Sequence, residues 1–267
     1  MKNELCLILL LAVSTLLCAC TREAPDEDAA IQTICETWNT ETAETAVPDF
    51  TETTAPAHSP LYHPDYTPEQ IWEYFEEVVL HTEYTDGIGD ATLVQKWLDP
   101  IGIRIYGDAT EEDLAVLEDL FAQLNQIPGF PGFYTAEAEG LEQLRISFLD
   151  PENFRADFSD AVGGEESYGA AQYWYYTDTN QIYSGRIGCR TDIPQWERNS
   201  VLVEEIVNIL GISDTILRED SVTYQYSNEN TVLSNADRIL LNLLYHPDMR
   251  CGMDAESCAA MIQALYY

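Results

Sequence analysis

Between Thr21 and Pro60 the chain is built largely from Thr, Glu, Asp, Ala and Pro, with few side chains able to form a core. Such a stretch cannot bury enough apolar surface to offset its chain entropy. It reads as a disordered linker, extended by repulsion among its own acidic groups. Any folded domain must therefore be made by residues 61–267, which suffice for one domain with a sizeable core.

The segment before the linker is different in kind. Lys2 is offset by Glu4, and Leu7 to Leu17 is an almost unbroken apolar run. That run is too short to span a bilayer as a mature helix and has the length of a signal-peptide core. It ends in Leu17-Cys18-Ala19-Cys20, which resembles the lipobox at which an exported bacterial protein is lipidated on its cysteine and cleaved just ahead of it. The expected organisation is a lipoprotein signal peptide over residues 1–19, a lipidated Cys20 with an acidic linker over 20–60, and the domain over 61–267. The expected location is outside the cytoplasm, anchored by lipid to the outer face of the bacterial cell membrane. An ordinary cleaved signal with incidental cysteines is the alternative.

Charge narrows the partners. Against 47 Asp and Glu stand 12 Lys and Arg, a formal charge of −35. Such a surface repels nucleic acid and anionic headgroups, so nucleic acid is excluded and membrane contact should run through the lipid alone. No Asp-x-Asp-x-Asp-Gly calcium loop is present. There is no nucleophile elbow, phosphate loop or dinucleotide fingerprint.

Within the domain, Thr67-Pro68-Glu69-Gln70 opens a helix with a capping box, followed by Ile71, Trp72, Phe75, Val78 and Val79 at helical spacing. Ile101 to Tyr106 alternates as a strand. Thr110 with Asp113 caps a second helix, and Leu144 to Leu149 alternates again. Ala171–Thr177 and Gln181–Cys189 form a hairpin about Asp178-Thr179-Asn180, with Ile182 and Ile187 inward. A helix runs from about Arg198 to Leu210 and stops at Gly211, and two more span Asn235–Tyr245 and Asp254–Leu265. A β-α-β-β-β-α order followed by a helical C-terminal part is an α+β fold.

The helix ending at Gly211 carries the most chemistry. Zinc proteases place two histidines four residues apart on one helix face, with a general-base glutamate between them. A glycine then turns the chain toward a third ligand. Here the register is Glu204-Glu205-x-x-Asn208-x-x-Gly211-x-x-Asp214: the glutamate and glycine are kept, and both histidine positions differ.

Lys96-Trp97-x-x-Pro100, the Glu204–Gly211 helix and the Asp237-to-Met253 stretch together resemble the bacterial exported proteins of domain-of-unknown-function family 2927, which resemble degenerate, metzincin-like zincin metallopeptidases. The resemblance covers about residue 67 to the C-terminus. It implies a zincin-like domain with a small mixed sheet, an active-site-type helix and a helical C-terminal part. It also implies that an edge strand around Gln181–Cys189 lies over that helix, and that Gly252-Met253 corresponds to a methionine turn. No activity follows from it.

The residues give the same restraint. His58, His63, His81 and His246 do not pair at four-residue spacing, and none is expected to substitute as a zinc ligand. No cofactor is expected. Glu204, Asn208 and Asp214 would form an oxygen set better suited to calcium or magnesium than to zinc, without a motif to support it. No catalytic residue is assigned beyond the vestigial positions Glu204, Glu205, Asn208, Gly211 and Asp214. Of the cysteines left after processing, Cys35, Cys189, Cys251 and Cys258 allow three connectivities; Cys251 and Cys258, close in sequence, are expected to pair. The leading expectation is a non-catalytic extracytoplasmic role, binding a peptide, glycan or envelope protein. A divergent hydrolase and an envelope assembly or adhesion subunit are the alternatives. The run Tyr173-Trp174-Tyr175-Tyr176 could line a carbohydrate or peptide groove, or lie half in the core and half on the surface.

Overall fold

In a computed structural model of the chain, residues 59, 61–81, 91–159, 167–227 and 229–266 are described. The expected signal peptide, the lipidated Cys20, Cys35 and nearly all of the linker fall outside them. The described elements are helix α1 (Pro68–Val79), strands β1 (Lys96–Trp97) and β2 (Ile101–Gly107), helix α2 (Glu111–Leu124), strands β3 (Phe133–Thr135) and β4 (Leu144–Leu149), helix α3 (Pro151–Asp157), strands β5 (Gly169–Tyr175) and β6 (Gln181–Arg190), and helices α4 (Gln195–Asn208), α5 (Asn235–Leu244) and α6 (Ala255–Tyr266). The fold is α+β.

The capping signals work as read. Thr67 with Gln70 and Thr110 with Asp113 form reciprocal boxes at the starts of α1 and α2, and Ser234 with Asp237 does the same for α5. Three elements were not anticipated. Strands β1 and β3 are two and three residues long, too short to show an alternation. Helix α3 has Asp150 as N-cap and proline at its first turn, a legible start with only seven residues after it.

The sheet has six strands in the order β1-β6-β4-β2-β3, all parallel neighbours, while β5 runs antiparallel to β6. It is thus larger and more parallel than the small mixed sheet expected. The strand over Gln181–Arg190 is internal, flanked by β4 and β5. The edge beside helix α4 belongs to β5 instead, because β6 pairs with β4 on its other side and leaves β5 outermost; Asn180, in the turn between them, takes the left-handed φ of 58°.

Strand alternation divides the sheet into two faces. On one, Ile101, Ile103, Leu144, Ile146, Phe148, Ile187 and Cys189 are buried beneath the helices. Trp97 Nε1 donates to the Ile209 carbonyl at 2.8 Å, and the Phe121 and Phe133 rings stand 4.4 Å apart. Buried Lys96 donates to the carbonyl of Leu244 at the end of α5, where a cation meets the negative end of a helix, and to that of Met249 in the loop that follows. Helix α2 is clamped to α4 by a buried ion pair, Arg198 Nε to Asp113 Oδ1 at 2.8 Å. On the other face Phe154, Phe158 and Ala170 form a small second cluster with Leu149, confined to the C-terminal ends of β4 and β6.

Candidate functional site

Helix α4 is buried through Val201, Leu202, Ile206 and Val207, which fixes its rotation. Glu204, Glu205 and Asn208 then face a cleft of about 390 Å³ together with Gly211 and Asp214. The five positions of the zinc-protease-like register are therefore brought to one place. The opposite wall is the outermost strand β5, through Gly169 to Ala171, Tyr173 and Tyr175.

Two glycines make this arrangement possible. A Cβ on Gly169 would lie 2.5 Å from Glu205 Oε1 and 2.4 Å from Val201 Cγ1, so only glycine lets β5 approach the helix with the carboxylate between them. Gly211 has φ +96°, and a Cβ there would stand 2.2 Å from the Gln95 carbonyl. After this turn, Ser213 N donates to the Val78 carbonyl at 2.7 Å, tying the segment to α1 and aiming Asp214 back toward α4.

Asn208 Nδ2 donates to Asp214 Oδ1 at 2.9 Å. The Asn208 Oδ1 atom is buried and finds no hydrogen-bond partner among the described residues, an acceptor left open at the helix face. Burial pushes the Asp214 carboxyl up to about 6, while the Asn208 amide works against the rise. Glu205 is 7 % exposed. Burial raises the Tyr173 hydroxyl to about 12, the neighbouring Tyr175 adding to the effect, so it stays protonated as a donor on the cleft wall.

Sequence reasoning missed part of the lining. His81, Thr92, Gln95 and Ser167 also face the cleft. His81, one residue past Leu80 at the end of α1, is brought there by the packing of α1 beside the Gly211 turn. No local signal marks it. Among the described residues no three His, Cys, Asp or Glu side chains converge as metal ligands. His246 sits just beyond the end of α5 and lines a different surface pocket, one that also includes His63 and Asn235.

Residues 68–264 match the family described as protein of unknown function (DUF2927). The chain belongs to that family. No curated protein matches it. The match spans every element from α1 almost to the end of α6, so the cleft lies wholly inside the DUF2927 region.

None of the described cysteines lines the cleft. Cys189, Cys251 and Cys258 are free thiols. Cys251 Sγ faces the Lys96 carbonyl at 3.7 Å and Cys258 Sγ faces Met249 Sδ at 3.7 Å, so the expected Cys251–Cys258 bond is not formed in this structure. Burial pushes all three thiols up, Cys258 to about 12, which makes them poor nucleophiles.

Proposed function

We propose that this DUF2927 domain is the extracytoplasmic part of a lipoprotein anchored at Cys20, and that its cleft is a degenerate, zincin-like peptidase site that now binds an extended basic peptide without cleaving it. The carrying observation is the juxtaposition of β5 with the carboxylates of α4. Among the described strands β5 pairs only with β6, so its outer edge can accept a further strand by backbone hydrogen bonds. Beside that edge Glu204, Glu205 and Asp214 meet the open Asn208 acceptor, a set that favours a cationic, hydrogen-donating side chain.

The zincin-like relation is supported by an antiparallel outermost strand facing the helix that carries Glu205. Gly252 N donates to the Val94 carbonyl and Val94 N to that of Met253, which holds the Gly-Met turn next to Gln95 in the cleft wall. Zinc catalysis is disfavoured by chemistry. An amide oxygen at Asn208 is a weak zinc donor, and Glu205 as a general base needs an activated water to act upon.

The test titrates the full chain with capped hexapeptides carrying one central Lys or, in its place, norleucine. The Lys peptide should bind at least about tenfold more tightly, a difference of about 1.4 kcal/mol. That preference should disappear in Glu205→Gln and fall as pH drops through 6. Equal affinity for both peptides, or none for either, sinks the reading. The same peptides should remain intact with added zinc. The anchor is tested separately: Cys20→Ser should move the protein out of the membrane fraction and abolish labelling by fatty acid.

One observation favours a second reading. His81 shares the cleft with Glu205 and Asp214, which gives a metal-free hydrolase an acid–base pair. Cleavage of an unstructured protein, lost in both His81→Ala and Glu205→Ala, would establish it.

A further inference from the structure

The face of the sheet turned away from helices α1, α2, α4 and α5 carries a second constellation, unconnected with the cleft. Register aligns Arg104 of β2 with Arg145 of β4, and Arg145 with Arg186 of β6. Three of the chain's 12 basic residues thus stand side by side, on neighbouring strands about 4.8 Å apart. Like charges placed directly opposite one another destabilise a sheet, and the chain has almost four carboxylates for every cation.

Three of the arginines elsewhere are paired with carboxylates. Arg190 pairs with Asp192, Arg198 with Asp113 and Arg218 with Asp220. Among the described residues no hydrogen bond or ion pair holds the half-buried Arg104 guanidinium. Arg145 is exposed; its Nε donates to Ser147 Oγ at 3.3 Å and its guanidinium lies 4.1 Å from the centre of the Tyr106 ring. Arg186 is braced by the Gln172 amide oxygen, 2.8 Å from Nε, and lies between the Phe158 and Trp174 rings, at 4.7 and 5.7 Å. Aromatic side chains extend the row at both ends. Tyr134, beside β2, is 40 % exposed, and on the hairpin Trp174, Tyr183 and Tyr176 are 43 %, 41 % and 51 % exposed. The Tyr176 and Tyr183 rings stack at 4.4 Å.

We infer that this face binds an acidic polysaccharide, a chain of uronic-acid-type sugars crossing the strands with carboxylates on Arg104, Arg145 and Arg186 and ring faces on the flanking tyrosines and Trp174. Charge complementarity selects an anion. The topology selects a glycan over a peptide. Strands β2, β4 and β6 each have both edges paired, so a ligand lying on them finds no free backbone donors or acceptors and must be held by side chains alone. A guanidinium takes a carboxylate through two parallel hydrogen bonds, and an evenly spaced row suits a polymer that repeats its charge from ring to ring. The Glu142 carboxylate, which accepts from the Tyr106 hydroxyl at 2.8 Å, borders the row and limits it on that side. The chain's net charge of −35 repels a polyanion at long range, but screening confines that repulsion to about 10 Å at 0.1 M salt.

The experiment titrates the full chain with an oligogalacturonate hexamer, with the same hexamer after reduction of its carboxyls to alcohols, and with a glutamate hexapeptide. The expected result is binding of the acidic sugar, weakened at least about tenfold by carboxyl reduction, by Arg104→Gln with Arg145→Gln, and separately by Trp174→Ala. Unfolding midpoints measured on each variant identify any loss caused by misfolding, and Trp174, being exposed, supplies a variant expected to fold normally. Binding unchanged in the arginine variant, glutamate hexapeptide bound as tightly as the sugar, or no binding of the sugar each overturns the inference. Glu205→Gln should leave sugar binding unchanged, which separates this outcome from the fate of the peptide reading.

Discussion

The two faces of strand β5 belong to opposite electrostatic worlds. Tyr173 and Tyr175 look into a cleft whose other wall gathers Glu204, Glu205 and Asp214. One residue out of phase, Gln172 and Trp174 look onto the arginine face. Because a strand alternates its side chains, a single seven-residue element serves an anionic pocket and a cationic surface without any loop between them. The difference also shows in how cations are held. On the helical side Arg198 is buried and locked to Asp113, whereas on the open side Arg104 and Arg145 stand without ion-pair partners among the described residues.

The largest expected effect tests that contrast directly. Asp113 has no exposed side-chain surface and receives Arg198 Nε at 2.8 Å and Gln195 Nε2 at 2.6 Å. Removing Arg198 leaves a buried carboxylate without its charge partner, so Arg198→Met should cost about 3–5 kcal/mol in urea unfolding. A loss below about 1 kcal/mol would mean that water reaches Asp113.

Next in size is Gly211→Ala, which tests how the cleft is closed. The position combines φ +96° with a Cβ that would meet the Gln95 carbonyl at 2.2 Å. Strain and backbone displacement should together cost roughly 2 kcal/mol, and the peptide preference should fall because Asp214 follows the turn. Wild-type stability in this variant would show that the turn is not held as described.

A smaller effect concerns Asp214, whose carboxyl is raised from 3.8 to about 6 by burial. The fold therefore holds this proton more tightly than the unfolded chain does. Its ionised form is disfavoured, a penalty absent below about pH 4 and complete above about pH 6. Asp214→Asn should accordingly stabilise the domain at pH 8, by about 1 kcal/mol once partial exposure is allowed for, and leave it unchanged at pH 4. Stabilisation of equal size at both values would assign the effect to something other than titration.

What the sequence could tell follows the range of the forces involved. Capping boxes at Thr67, Thr110 and Ser234 are local, and they set the helix starts. The gathering of Glu204, Glu205, Asn208 and Asp214 was legible because helix periodicity and a glycine turn place all of them within one short segment. His81 and the β5 wall were not, since they arrive through packing of segments far apart in sequence. The hairpin was read correctly but its outer strand was misplaced, because a turn fixes pairing and does not say which partner faces the next strand. The arginine row was hidden for the same reason: Arg104, Arg145 and Arg186 come into line only through the register of three strands separated by whole helices and loops.

The smallest expected effect is the most informative about that row. If Arg104 served the fold, its removal would cost stability as the removal of Arg198 does. Instead it stands beside a like charge on β4 and, among the described residues, holds no carboxylate, so the sheet gains nothing electrostatic from it there. Its aliphatic stem still covers part of the strand surface, and Gln retains much of that stem. Arg104→Gln should therefore shift stability by no more than about 0.5 kcal/mol, in the stabilising direction if the repulsion from Arg145 exceeds the lost packing. Equilibrium unfolding of the single variants and of the Arg104→Gln, Arg145→Gln double variant checks this. Relief of repulsion should make the double variant no more stable than the better single one, since the second substitution removes a repulsion already gone. A loss above about 1 kcal/mol would show that Arg104 has a native partner, and would turn the row from a binding surface into a structural element of the sheet.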